Sequence, residues 1–251
     1  MACTLLRCIF LLSCLMAIEV CLARSLTDHD DHHHHHILPN SAKKVPVNLY
    51  YETLCPGCQE FILEGLPPLF KNELIDIIEL RLVPWGNARV HSNQSFVCQH
   101  GPPECFLNTV EACAIDAWPT PLEYFPFILC VENLASEGKH TEWETCFTKL
   151  GLDPKPVKDC SSSDHGKQLE LKYAKETKEL KPQHEFVPWV VVNKQPLKED
   201  IGNLITYICR AYKGTPPSAC HDKSSSISTS DEAPHVYPAC YATKDQNNAH
   251  P

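Results

Sequence analysis

The chain has 251 residues, of which 43% are hydrophobic and 21% are charged, enough for one large domain or two small ones. Its formal net charge is −9 at pH 7 with the 14 histidines neutral. Lysine and arginine form no concentrated patch, so nucleic acid is not expected as a partner. Protonating every histidine in a compartment near pH 5 would change the net charge to about +5, because an unperturbed imidazole has a pKa of about 6.5.

Residues 1–23 have the pattern of a secretory signal peptide. A basic residue, Arg7, precedes an apolar core at positions 8–17, and we expect cleavage after Ala23. A membrane anchor is the alternative, but a spanning helix needs about 20 apolar residues and Glu19 interrupts this stretch. No later stretch is long and apolar enough to span a bilayer, so we expect an exported protein without a membrane span.

Residues 24–44 form a polar segment that contains a run of histidines, His32–His36, and we expect this segment to be disordered. The run has three interpretations: a natural solvated tail, a purification tag, or a weak Zn²⁺ or Cu²⁺ site. We assign no function to it.

Residues 45–220 have the pattern of a folded domain that begins as strand, helix, strand. A first strand, ending near Leu54, is predicted by the β-branched and aromatic stretch VPVNLYYETL. A helix follows in CQEFILEGLPPLFKNEL, where apolar residues recur at helical spacing, with a kink or break at Pro67–Pro68. A second buried strand is predicted in IDIIELRLVPWG, which ends at Pro84 and Gly86.

A cysteine-rich and mostly helical insertion, at about residues 96–180, comes next and ends in an amphipathic helix, GKQLELKYAKETKEL. A third strand is then predicted in EFVPWVVVNKQPL, with a turn near Asn193–Lys194 that leads to a short fourth strand. The last helix lies in DIGNLITYICRAYKG. This order is typical of an α/β protein with a thioredoxin-like fold and an inserted, disulfide-stapled helical subdomain.

Cys55 and Cys58 form a CxxC pair where the first strand leads into the first helix. A structural zinc site would need a second ligand pair at short spacing, but the next cysteines, Cys98 and Cys105, have six residues between them. A structural disulfide within the pair would close too small a loop to restrict the unfolded chain much. The position favours a third interpretation, a redox pair.

A redox pair at this position has a physical rationale. Only a thiolate attacks a disulfide, and the N-terminus of a helix favours the anion of Cys55. Pro56 lies in the first helical turn, where a backbone N–H would have no partner within the helix, so its missing N–H costs no hydrogen bond. Gly57 has no side chain that would obstruct an approaching substrate. Cys58, one turn into the helix, is in reach to resolve a mixed disulfide formed on Cys55.

The VPWVVVN segment supports this interpretation, because a thioredoxin-like fold places a cis-proline opposite the CxxC pair. Pro188 is the residue at that position, and Val187 would offer its backbone N–H and C=O groups to a bound polypeptide. An ordinary trans proline at the start of a strand is the alternative, since only about 5–6% of X–Pro bonds are cis.

The cysteine count fits an exported protein, because the secretory pathway permits disulfides. Four of the fifteen cysteines leave with the signal peptide, and the remaining eleven are an odd number. One thiol therefore stays free or links two chains into a dimer. The sequon NQS at Asn93 is expected to carry a glycan on a surface loop.

The segment CQHGPPECFLNTVEAC, residues 98–113, resembles the signature CQHG-x₂-EC-x₂-N-x₄-C of the gamma-interferon-inducible lysosomal thiol reductase (GILT) family. The fixed positions all match: Cys98, Gln99, His100, Gly101, Glu104, Cys105, Asn108 and Cys113. The similarity extends over about residues 45–209. It implies a glycosylated thiol reductase of endosomes and lysosomes that reduces protein disulfides, with Cys55 and Cys58 as its redox pair.

The resemblance also suggests roles for the signature residues and the other cysteines. His100 and Glu104 either tune a proton near the active site or shape the loop, and Asn108 is expected to cap a helix. The structural disulfide candidates are Cys98, Cys105, Cys113, Cys130, Cys146, Cys160, Cys209 and Cys220. Eight cysteines allow 105 pairings, so we predict only that Cys98 and Cys105 close a small loop and that the insertion is stapled.

The sequence therefore predicts a thiol-disulfide oxidoreductase that reduces protein disulfides in an acidic compartment, with no cofactor and no metal. Disulfide-containing proteins would be its substrates, and a small thiol or a protein would supply electrons. The lysosome, the vacuole and the extracellular space are the expected locations. The alternatives are a secreted oxidase or isomerase of the same fold, and a non-catalytic secreted metal-binding protein that uses the histidine run.

The last segment, residues 221–251, is rich in serine, proline and other polar residues with little periodicity. This composition predicts a tail that is disordered or is removed from the mature protein.

Overall fold

The computed structural model describes residues 42–221 and 235–242. The expected signal peptide, the histidine run and most of the expected C-terminal tail lie outside the described residues. Within the described part, no helix combines the length and the hydropathy that crossing a bilayer requires.

The described elements alternate between strands and helices. The strands are β1 (Val45–Tyr51), β2 (Ile78–Pro84), β3 (Arg89–Val90), β4 (Phe96–Val97), β5 (Phe186–Val187), β6 (Trp189–Val192), β7 (Gln195–Pro196) and β8 (Cys240–Tyr241). The α-helices are α1 (Pro56–Glu60), α2 (Pro67–Lys71), α3 (Pro102–Ala117), α4 (Pro121–Ser136), α5 (Thr145–Leu150), α6 (Lys155–Ser161), α7 (Asp164–Lys178) and α8 (Leu204–Ala211). A π-helical turn, Phe61–Gly65, extends α1, and 3₁₀ turns lie at Leu74–Asp76, His140–Glu142, Lys198–Asn203 and Ser218–Cys220.

A four-stranded sheet in the order β2-β1-β6-β7 forms the centre of the domain. Strand β1 runs parallel to β2 and antiparallel to β6, so that Leu49 lies opposite Leu82 on one side and Val190 on the other. The β6–β7 hairpin turns at Asn193 and Lys194, both of which have positive φ. With α1 between β1 and β2 and α8 after β7, this is the thioredoxin-like arrangement.

The first strand shows why the chain folds in this way. Val45, Val47 and Leu49 alternate with half-buried residues, and all three are at most 3% exposed. From Tyr50 onward the strand is buried on both faces, and it leads directly into the turn that carries Cys55. A strand buried in this way fixes the position of the turn that follows it.

The helical insertion, α3 to α7, has its own apolar core and its own disulfides. Cys113 in α3 pairs with Cys160 in α6, and Cys130 in α4 pairs with Cys146 in α5. Helix α4 begins with a capping box, in which the Thr120 backbone N–H donates to the Glu123 carboxylate at 3.2 Å. Helices α3 and α7 both pack against β2, which places the start of α3 beside the turn before Cys55.

Candidate active site

Cys55 is the N-cap residue of α1, so its side chain lies at the N-terminus of a continuous helical segment that reaches Gly65. Pro56 occupies the first helical position, and the Gln59 N–H donates to the Cys55 carbonyl at 3.0 Å. Both features are those that the sequence predicts for a strand-to-helix turn. The sulfur of Cys55 therefore lies at the positive end of the helix dipole.

The Val187–Pro188 peptide bond is cis and lies opposite Cys55. The Cys55 sulfur is 3.8 Å from the Val187 carbonyl oxygen. Sequence reasoning expected Val187 and Pro188 at this position, and the structure brings both of them to the CxxC pair.

In the structure Cys55 is joined to Cys240 by a disulfide, across 185 residues of sequence. Cys58 is fully buried, and among the described residues it is the only cysteine without a disulfide partner. The disulfide binds the C-terminal segment 235–242 to the domain. The expectation of a disordered tail over 221–251 therefore does not hold for these eight residues, because their cysteine and aromatic side chains pack against the site.

The segment 235–242 pairs with the strand that precedes the cis-proline. Its strand β8 runs antiparallel to β5, with Cys240 opposite Val187 and Tyr241 opposite Phe186. The structure thus pairs the backbone of Val187 with a peptide whose cysteine is bonded to Cys55.

The signature loop forms a second wall of the site. Cys98 and Cys105 are bonded and close the loop in front of α3. Glu104 fixes that loop from within, since its carboxylate accepts from the His100 backbone N–H at 3.0 Å and lies 2.5 Å from His100 Nδ1. The His100 side chain is 30% exposed, so the loop covers it only in part.

Glu52, three residues before Cys55, is a fully buried carboxyl that sequence reasoning did not identify. One of its oxygens accepts from the Asn87 backbone N–H at 2.9 Å, and the other lies 3.6 Å from His100 Nδ1. Gly86 makes room for it, because a Cβ there would lie 2.6 Å from the Glu52 carboxyl, and its φ is +58°. Burial and the charge of Glu104 raise the pKa of Glu52 to about 8, against the hydrogen bonds from Asn87.

The thiol of Cys58 is strongly affected by the same surroundings. Burial, and then the negative charge of Glu52, raise the pKa of Cys58 well above the ordinary value. A protonated Glu52 removes the second of these effects.

Two described groups lie close to the sulfur of Cys240. A Glu52 oxygen, a His100 ring nitrogen and the Cys240 sulfur all lie within 4.8 Å of one another. Because Cys240 is engaged in a disulfide, this cluster offers no thiolate to a metal ion. It instead places a carboxyl and an imidazole beside the sulfur that is bonded to Cys55.

Asn108 does not cap a helix, so that expectation is wrong. Helix α3 starts earlier, at Pro102, with Gly101 as its N-cap, and Asn108 is buried within the helix. Its side-chain oxygen accepts from the Thr53 backbone N–H at 3.0 Å. The signature asparagine therefore fixes the turn between β1 and Cys55.

The remaining predicted residues are placed as follows. The eight structural disulfide candidates occur as four pairs: Cys98–Cys105, Cys113–Cys160, Cys130–Cys146 and Cys209–Cys220. Asn93 is exposed in a turn, where its side chain accepts from the Ser95 backbone N–H at 3.0 Å. None of these residues except Cys98 and Cys105 lies in the loop beside the CxxC pair.

Comparison with known proteins decides the family. The family "Gamma interferon inducible lysosomal thiol reductase (GILT)" matches residues 46–150. The chain is 43% identical over 216 residues to an Arabidopsis thaliana "Gamma-interferon-responsive lysosomal thiol protein", an alignment that covers 84% of this chain and 90% of that protein. The chain belongs to the GILT family. The resemblance carried by the signature is thereby confirmed.

Other relatives extend this result. A mouse "Gamma-interferon-inducible lysosomal thiol reductase" is 37% identical to this GILT-family chain over 182 residues, covering 70% of the chain and 71% of that protein. Among solved structures, Chlamydia trachomatis DsbA is similar with a TM-score of 0.49 and 16% identity, covering 67% of this chain and 88% of that one. Family membership and the thioredoxin-like sheet identify this chain as a thiol-disulfide oxidoreductase.

Sequence reasoning missed Cys240, Glu52 and Asn87. The odd cysteine count was a signal for the first of these. Ten of the eleven cysteines expected in the mature protein had assigned roles, and Cys240 was the one left over. No comparable signal marked Glu52, because its burial depends on the loop before α3.

Proposed function

We propose that this protein reduces disulfide bonds in protein substrates, with Cys55 as the attacking thiol and Cys58 as the resolving thiol. The observation that carries the proposal is the bonding state of the pair. Cys55, at the helix N-terminus, is bonded to the sulfur of a paired strand, while Cys58, one turn further along, is a free thiol. This arrangement has the connectivity of a mixed-disulfide intermediate.

In the first step the Cys55 thiolate attacks one sulfur of a substrate disulfide. A bond forms between Cys55 and that sulfur, and the other substrate sulfur leaves as a thiolate that takes up a proton. The substrate backbone pairs with Val187, as the segment at Cys240 does.

In the second step Cys58 resolves the mixed disulfide. Cys58 loses its proton and attacks the Cys55 sulfur, a Cys55–Cys58 disulfide forms, and the second substrate sulfur leaves as a thiolate that takes up a proton. His100 and Glu52 lie beside the position of the leaving sulfur and are suited to protonate it. The substrate has gained two electrons from the enzyme, and an external thiol donor then supplies two more that reduce the Cys55–Cys58 disulfide.

The local electrostatics favour ionisation of Cys55 in acid. The helix N-terminus stabilises a thiolate at the N-cap position. Glu52 would oppose that anion if it were charged, but its pKa of about 8 keeps it neutral at pH 5. Glu52 therefore adds no negative charge to the surroundings of the site in an acidic compartment.

We infer that the working compartment is acidic, a lysosome or a vacuole, with the extracellular space as the other destination. The buried carboxyls support this inference. Burial raises the pKa of Glu52 and Glu111 to about 8, and raises that of Glu132 and Glu170 well above its ordinary value. Such carboxyls stay protonated in acid at no cost, whereas neutral pH favours their ionisation and hence unfolding. The mouse and Arabidopsis relatives are named as lysosomal proteins.

The test is reduction of a denatured, disulfide-bonded protein at pH 4.5–5.5 by the full mature chain with a small-thiol donor. Cys55→Ser should abolish reduction, because no other thiol lies at the helix N-terminus. Cys58→Ser/Cys240→Ser should accumulate a mixed disulfide with the substrate, whereas Cys55→Ser should accumulate none. If the Cys55→Ser variant reduces the substrate as fast as the wild type, the proposed function is wrong.

The direction of the reaction is tested by the reduction potential of the Cys55–Cys58 couple. A reductase is expected to have a potential near that of thioredoxin, about −270 mV. A value near −120 mV, as in strongly oxidising relatives of this fold, would instead support the oxidase.

A further inference from the structure

Segment 235–242 lies in the site as a protein substrate would, and its contacts define a binding groove. The groove has three components in the structure: a strand edge that pairs with the peptide backbone, polar side chains that bind peptide carbonyls, and apolar positions for side chains.

The strand edge is β5, directly before the cis-proline. Pairing of Val187 with Cys240 and of Phe186 with Tyr241 aligns the peptide, and so places the cysteine sulfur at Cys55. Backbone pairing of this kind accepts many sequences, because it uses no side chain of the bound peptide.

Two side-chain amides also bind the backbone of the peptide. Asn87 Nδ2 donates to the Cys240 carbonyl at 3.0 Å, and Gln99 Nε2 donates to the Tyr241 carbonyl at 2.9 Å. Asn87 also donates to Gln99 Oε1 at 2.7 Å, which fixes the two amides relative to each other. Side-chain amides therefore bind the peptide backbone in addition to its pairing with β5.

Aromatic side chains of the peptide have partners of their own. Tyr237, three residues before the cysteine, packs edge-on against Phe61 with ring centroids 4.9 Å apart. Tyr241, one residue after the cysteine, lies 5.3 Å from the ring of Phe186. These two positions give the groove a preference for aromatic residues on either side of a cysteine.

Two glycines of the domain allow the peptide backbone to approach. A Cβ at Gly57 would lie 1.8 Å from the Pro238 carbonyl oxygen, and a Cβ at Gly202 would lie 2.3 Å from that of His235. A side chain at either position would displace the peptide. His235 adds a polar contact at the far end, with its Nε2 2.6 Å from Glu60 Oε1.

We propose that segment His235–Ala242 is a built-in substrate that fills the protein-substrate groove and holds Cys55 as an intramolecular mixed disulfide. The groove accordingly recognises an extended cysteine peptide with an aromatic residue three positions before and one position after the cysteine. This inference rests on the proposed function and adds to it the class of peptide that the site accepts.

Release of the segment needs no oxidant or reductant. The Cys58 thiolate attacks the Cys55 sulfur, so a Cys55–Cys58 bond forms as the Cys55–Cys240 bond breaks. Cys240 leaves as a thiolate and takes up one proton, while Cys58 has lost one. A protein substrate competes with the same segment for the groove.

The first experiment maps the disulfides of the full mature chain. Free thiols are alkylated under denaturing conditions, and the chain is digested with trypsin without reduction. We expect peptide 45–71 to be joined to peptide 224–244, with Cys58 carrying the alkyl group. In Cys240→Ser we expect a Cys55–Cys58 bond and no alkylated thiol in peptide 45–71. A Cys55–Cys58 bond in the wild type, or Cys240 joined to a second chain, would overturn the proposal.

The second experiment measures recognition with a synthetic peptide of residues 235–242, presented as its symmetrical disulfide dimer. The pre-reduced Cys58→Ser/Cys240→Ser chain offers Cys55 alone, and the rate of the Cys55–peptide adduct is followed by mass spectrometry. Replacing Tyr237 by Ala in the peptide should slow the adduct about fivefold, the scale expected for one lost aromatic pair. Replacing Val236 by Ala is the matched control and should leave the rate of adduct formation unchanged, because Val236 is 76% exposed.

The outcomes separate the inference from the proposed function. Equal rates for all three peptides would overturn the groove preference while leaving Cys55 an active thiol. A Cys55 that reacts with no disulfide, including a small one, would instead contradict the proposed function, and the disulfide map would still report on the built-in substrate.

Discussion

The buried carboxyl of Glu111 predicts that this protein becomes less stable as the pH rises from 5 to 7. Glu111 lies in α3, is fully buried and accepts from the Tyr51 hydroxyl at 2.5 Å. Burial raises its pKa to about 8 against this hydrogen bond, while in the unfolded chain it returns to 4.5. The folded state therefore keeps a proton that the unfolded state releases, and raising the pH favours unfolding.

The size of the effect follows from the two pKa values. Between 4.5 and about 8, one such carboxyl lowers the free energy of unfolding by about 1.4 kcal/mol for each pH unit. From pH 5 to pH 7 Glu111 therefore lowers the free energy of unfolding by about 2.5 kcal/mol. Below pH 4.5 and above pH 8 the contribution of Glu111 to the free energy of unfolding should not change with pH, because its charge is then the same in the folded and the unfolded state.

The assay is urea unfolding of the disulfide-intact chain at pH 5 and pH 7, followed by tryptophan fluorescence. Glu111→Gln keeps the shape and the hydrogen bond from Tyr51 but cannot ionise, so its loss of stability over this range should be about 2.5 kcal/mol smaller than that of the wild type. Glu142→Gln, at an exposed position, is the control and should behave as the wild type. An unchanged pH dependence in Glu111→Gln would refute the reasoning.

Two further predictions concern the disulfides and the glycan. The Cys130–Cys146 bond spans 16 residues, and replacing both cysteines by Ala should lower the free energy of unfolding by about 3 kcal/mol. An unchanged urea midpoint would show that this bond does not restrict the unfolded chain. Asn93→Gln should remove the mass of one glycan from protein secreted by a eukaryotic cell, since the sequon lies in an exposed turn. Ser95→Ala breaks the same sequon and should give the same loss of mass. An unchanged mass in both variants would exclude glycosylation at Asn93.

The parts of the site that could be predicted from sequence are those fixed by local pattern. A CxxC motif directly after a buried strand places Cys55 at a helix start, because the change of period from two to 3.6 marks the boundary. Val187 and Pro188 followed from the order of the strands. The sheet order confirms the fold on which that placement depended.

The parts that could not be predicted depend on contacts between distant segments. Cys240 lies 185 residues from its partner, and a disulfide forms by proximity in the fold rather than by spacing in the sequence. The serine-rich composition of the tail predicts disorder on average, but it does not describe the short HVYPACYA segment, whose aromatic residues find partners. Asn108 was misassigned because the helix begins six residues earlier, at Pro102.

The most direct measurement is the pH dependence of the alkylation rate of Cys55 in the Cys58→Ser/Cys240→Ser chain, where no other thiol competes at the site. A thiolate stabilised by the N-terminus of α1, beside a neutral Glu52, should show half-maximal reactivity below about pH 7. A midpoint above about 8, that of an ordinary cysteine, would contradict the assignment of Cys55 as the attacking thiol.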